Sequence, residues 1–117
     1  MLNHISKIRI PATVLMVCAS LIGFWTFAGL AAAQYMVSQK GREFSPNDLT
    51  IKRGETVMIV NDDADLRHHA YIDSEKFTFD SGDQEPGSKT PITFLADGNF
   101  DVLCAIHPKM KLVIHVK

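Results

Sequence analysis

From about residue 49 onward, apolar and polar positions alternate in short runs, and turn-forming residues close each run. Leu49 and Ile51 alternate with Thr50 and Lys52 before Arg53, Gly54 and Glu55 turn the chain. In residues 56–60, Val57 and Ile59 share one side and Met58 and Val60 the other. Short runs over 68–73, 77–79, 91–95 and 99–104 follow, the last two separated by Ala96, Asp97 and Gly98. Residues 111–117 place Leu112, Ile114 and Val116 on one side. Period-two runs spaced by turn signals predict an all-β sandwich or barrel, with no helix of useful length after residue 36. The acidic stretch 61–65 reads as an exposed loop, and 81–89 as a polar connection containing Gly and Pro.

The first third has a different pattern. Residues 1–10 carry Lys7 and Arg9 and no acid; an apolar stretch follows from about Ala12 to Ala33, ending in three alanines. A positive start, an apolar middle and a small-residue end describe a secretory signal, with cleavage expected between Ala33 and Gln34. The competing reading is an uncleaved anchor, since about 20 apolar residues span a bilayer as a helix. Both readings deliver residues 34–117 to the periplasm or another extracytoplasmic face. They divide the chain into a leader, 1–33, and one domain, 34–117.

With Lys7 and Arg9 set aside, ten of the 12 Lys and Arg stand against all 13 Asp and Glu, a formal charge of about −3 for residues 34–117. That balance argues against nucleic acid and mildly favours a basic protein partner. Only one of the two cysteines, Cys104, falls in this part. In an oxidising compartment a cysteine without an internal partner calls for another explanation.

Residues 104–110 read CAIHPKM, so Cys104, His107 and Met110 follow one another at Cys-x2-His-x2-Met spacing. Cys and Met are often buried simply as adaptable hydrophobes. A thiolate, an imidazole and a thioether within seven residues, however, form a soft donor set suited to copper. A blue-copper electron-transfer site combines two His and one Cys with a weak axial Met, which leaves one His to be found. His68 and His69 are the candidates. Strand parity puts His68 on the more apolar stripe with Ala70 and Ile72, and His69 with Tyr71 and Asp73. The same parity aligns Phe100, Val102 and Cys104 toward the core.

The segments FSPNDLTIKRGETVMIVND and GNFDVLCAIHPKM, in this order, resemble the cupredoxins, above all the plastocyanin, amicyanin and pseudoazurin group. The two residues between His107 and Met110 are similar to the amicyanin pattern. The resemblance implies a Greek-key β-sandwich holding one mononuclear copper, Cu(I) or Cu(II), through His68, Cys104, His107 and Met110. It also implies a monomer that carries single electrons between redox partners such as a cytochrome c or a dehydrogenase, and not an enzyme. His69 stands where the family commonly has an Asn that ties the two ligand loops together. It must replace that tie, hydrogen-bond differently, or intrude on the metal.

An alternative of another class is an extracytoplasmic copper carrier or chaperone, for which His69 would be an exchange ligand. The scattered methionines do not form the Met-rich tract such a role favours. Asp62, Asp63 and Asp65 lack the spacing and Gly of an EF-hand loop and read as a solvated charge run. His115 reads as a solvated strand residue.

Overall fold

The computed structural model describes residues 35–117; the leader expected over 1–33 lies outside them. Nine strands and no helix occur among the described residues: β1 (Tyr35–Lys40), β2 (Glu43–Ser45), β3 (Asp48–Ile51), β4 (Thr56–Asn61), β5 (Ala70–Asp73), β6 (Thr78–Asp80), β7 (Lys89–Thr93), β8 (Gly98–Cys104) and β9 (Lys111–Val116). They form a four-stranded sheet, β2-β1-β4-β7, and a five-stranded sheet, β3-β9-β8-β5-β6. Most pairs are antiparallel; β1 with β4 and β3 with β9 are parallel.

The alternation read from the sequence decides which side chains meet between the sheets. Val37, Val57, Ile59 and Ile92 come from one sheet, and Ile51, Ile72, Phe100, Val102, Leu112 and Ile114 from the other; all are buried. Phe94, just past β7, joins Phe77 and Phe100 in an aromatic cluster with ring centroids 5.6–5.9 Å apart. Offset and edge-on rings at such distances pack favourably. Pro91 lies in β7, an edge strand, where a missing N–H costs no ladder bond.

Two departures from the sequence reading lie near the top of the sandwich. The β1–β2 hairpin was not signalled, because its inward positions are Val37 and Gln39, and a buried Gln breaks the apolar alternation. Its two-residue turn, Gly41 and Arg42, has φ of 62° and 63°, as the tight hairpin turn matching strand twist requires. The acidic stretch 61–65 is not uniformly exposed. Asn61 ends β4 fully buried, its amide donating to Leu66 O and Gln84 O and its side-chain oxygen accepting from Asp63 N–H. A buried amide must satisfy its own donors and acceptor, and Asn61 does so by fastening the loop down.

Candidate metal centre

β8 and β5 are antiparallel neighbours, with Ala70 opposite Cys104. That register brings the residue before β5 beside the end of β8. Beyond Cys104 the chain turns at 107–110, closed by the Met110 N–H donating to His107 O at 3.0 Å, and re-enters the sheet as β9. His68 is held from behind by a two-way backbone bridge with Gln84, N–H to O at 3.0 and 2.7 Å.

These elements gather His68, Cys104 and His107 so that one donor atom from each lies within 4.8 Å of the others. The two Nδ1 atoms are 3.3 Å apart, and Cys104 Sγ lies 3.9 Å from His68 Nδ1 and 3.8 Å from His107 Nδ1. Metal bonds of about 2.0 Å to nitrogen and about 2.3 Å to sulfur, set 120° apart, would separate the donors by about 3.5 Å (N to N) and about 3.7 Å (N to S). The triangle therefore fits a first-row metal ion without rearrangement. A thiolate and two imidazoles in one plane suit copper.

Burial grades across the site. His68 and Cys104 are buried, while His107 is half-buried between exposed Ile106 and Pro108. Met110 is buried at the head of β9 and lines, with His107, a groove walled by Arg42, Glu43, Ile106 and Lys109. The His107 imidazole is thus the part of the centre nearest solvent. Burial pushes its pKa below the ordinary histidine value, the charges of His68 and Arg42 push the same way, and Asp63 opposes them.

His69 turns away from this triangle. Its Nε2 meets Asp80 at 2.6 Å and its Nδ1 lies 3.7 Å from Asp83. The tie between the two loops is made by its backbone: His69 O accepts from Ala105 N–H at 2.9 Å, and His69 N–H points at Cys104 Sγ at 3.4 Å. Of the three alternatives open for this residue, it hydrogen-bonds differently and its main chain supplies the tie.

Two residues that bear on the site were not assigned to it from the sequence, where Asp63 reads only as part of a solvated charge run. Asp63 Oδ2 lies 2.6 Å from His68 Nε2, and its other oxygen accepts from Gly41 N–H at 3.0 Å. Desolvation alone would raise the Asp63 carboxyl, but the Gly41 and His68 hydrogen bonds and the charges of His68 and Lys40 outweigh it and hold the pKa below the usual carboxylate value. Gln84, buried, takes Gln39 Nε2–H and Ala70 N–H on Oε1 and donates to Thr90. No sequence signal marked either, since each sits in a stretch whose average character is polar and solvated.

No family model matches the chain, and neither does any protein of curated function. Solved structures do match. A copper(I) form of an amicyanin variant is similar over 77% of this chain and 88% of its own, at 22% identity and a TM-score of 0.67. A purple cupredoxin from Nitrosopumilus maritimus is similar over 71% of this chain and 99% of its own, at 22% identity and a TM-score of 0.63. The domain has the cupredoxin fold. A copper-containing nitrite reductase from Thermus scotoductus SA-01 is 33% identical over 71% of this chain, with a TM-score of 0.66. This chain spans only 22% of that enzyme's length. Within the cupredoxin sandwich, the His68–Cys104–His107 triangle occupies the end at which β5, β8 and the 105–110 turn converge.

Proposed function

We propose that this cupredoxin domain is an extracytoplasmic electron carrier. It would hold one mononuclear copper through His68, Cys104 and His107, with Met110 supplying a fourth, weaker thioether donor. The observation that carries the reading is the triangle itself: three donors within 4.8 Å of one another, two of them buried, at spacings that suit a trigonal ion. The names of the similar amicyanin and purple cupredoxin support it. The nitrite reductase's reaction is not carried over, because most of that enzyme has no counterpart here.

When bound, copper supplies a one-electron couple; the protein's part is to keep the ligands still. Cys104 is fixed by its strand and receives the His69 N–H. His68 is clamped on both sides, by Gln84 along its backbone and by Asp63 at its ring. Donors that need not move between oxidation states keep reorganisation small. The His107 edge, framed by Ile106 and Pro108, is the route for the electron. Weak redox encounters use small interfaces, and this groove is of that kind. Its partner is a redox protein such as a cytochrome c or a dehydrogenase. Residues 1–33 read as the export signal that takes the domain there.

The test is the visible and electron paramagnetic resonance spectrum of the protein after Cu(II) addition, compared with Cys104→Ser. An intense blue or purple band with narrow hyperfine splitting, lost in the variant, supports the reading. A pale tetragonal signal indifferent to Cys104 would make copper handling through the histidines the better account.

A further inference from the structure

The His68 side chain has no exposed surface, yet its ring meets a carboxylate. Asp63 Oδ2 lies 2.6 Å from Nε2, and its side chain is only 10% exposed. An ionised carboxylate can only accept, so a neutral His68 must carry its proton on Nε2. The Nδ1 lone pair then faces the triangle, 3.3 Å from His107 Nδ1 and 3.9 Å from Cys104 Sγ. Asp63 is itself built in. Gly41 N–H holds its second oxygen, and Asn61 Oδ1 holds its backbone N–H. The Asp62 side chain next door is exposed, and among the described residues it accepts a hydrogen bond only from Ser38 Oγ.

We propose that Asp63 is a positioning and tuning residue of the metal centre: it locks the His68 tautomer that presents Nδ1, and it places a fixed negative charge one imidazole away from the ion. This rests on the copper reading above. Outer carboxylates that orient a ligating His commonly change metal affinity by 10–100-fold when removed. A negative charge beside the centre favours the more positive oxidation state, so its loss raises the reduction potential. The same carboxylate pins the 41–42 turn, whose Arg42 lines the groove beside His107. One side chain thereby joins the buried ligand to the wall of the electron route.

Two substitutions separate the parts. Asp63→Asn keeps an oxygen that can accept from Nε2–H but removes the charge; Asp63→Ala removes both. Asp62→Asn is the control. In the metal-free protein, long-range proton–nitrogen NMR at neutral pH is expected to show His68 as the Nε2–H tautomer, and mixed tautomers in Asp63→Ala. With Cu(II), Asp63→Asn is expected to keep the parent spectrum and show a higher potential, Asp63→Ala to bind about 10–100-fold more weakly, and Asp62→Asn to match the parent. Parent-like potential and affinity in both Asp63 variants, or an Nδ1–H tautomer in the parent, would overturn the assignment. A parent protein without a thiolate-to-copper band would instead overturn the electron-carrier reading; the metal-free tautomer would still decide the role of Asp63.

Discussion

The backbone N–H of His69 points at the Sγ of Cys104 across 3.4 Å, while the His69 ring turns the other way to Asp80. Neighbouring histidines therefore face the candidate centre with different atoms: His68 with its ring, His69 with its main chain. His69→Ala is expected to retain the Cys104-dependent absorption band, with a small shift in its position at most. His68→Ala is expected to lose it. Visible spectra of the two copper-loaded variants check this; a lost band in His69→Ala with His68→Ala unaffected would reverse the ligand assignment.

Asn61 makes three side-chain hydrogen bonds while fully buried, two donated and one accepted. Truncating it leaves Leu66 O, Gln84 O and Asp63 N–H without that partner, and a stranded buried group costs about 1–3 kcal/mol. Asn61→Ala should therefore lower the unfolding free energy by about 2 kcal/mol or more, measured by urea denaturation of the metal-free protein. Ile114→Val, a one-methylene loss between the sheets, should cost about 1 kcal/mol.

Metal loading should be visible as stability. A ligand that binds only the folded state adds about 4 kcal/mol at a concentration a thousand times its dissociation constant. Calorimetry should show a higher Tm with Cu(II) than without. Cys104→Ser should lose most of that increment, since it removes one corner of the triangle.

The metal-free protein should also respond to pH through His107. Its folded pKa lies below the ordinary value of 6.5, so below 6.5 the unfolded chain binds the proton more readily. Stability is then fully present above 6.5 and declines as pH falls from there through the folded value, levelling off below it. His107→Gln should flatten that part of the profile in thermal melts recorded between pH 7.5 and about 5.

The sandwich and its core stripes were legible because period-two alternation translates directly into burial. Phe100, Val102 and Cys104 point inward as parity requires, and so do His68, Ala70 and Ile72. Cys104, His107 and Met110 stood out because their donor chemistry is compressed into seven residues. The β1–β2 hairpin did not stand out, since Gln39 occupies an inward position from which its amide nitrogen donates to the distant Gln84. Asp63 was hidden for a similar reason. Inside an acidic run its charge reads as solvation, and only the fold reveals that Asn61, Gly41 and His68 enclose it. The Gly41–Asp63 and Gln39–Gln84 contacts join residues distant in sequence, which local patterning does not encode.

Cyclic voltammetry of the copper-loaded protein, with an external Cu(I) chelator present throughout, separates a centre that passes electrons and keeps its metal from one that releases it. An electron carrier gives a reversible one-electron wave that persists over repeated cycles while the chelator stays metal-free. A wave that decays as the chelator fills on reduction would contradict the proposed role and identify the domain as one that gives its copper away.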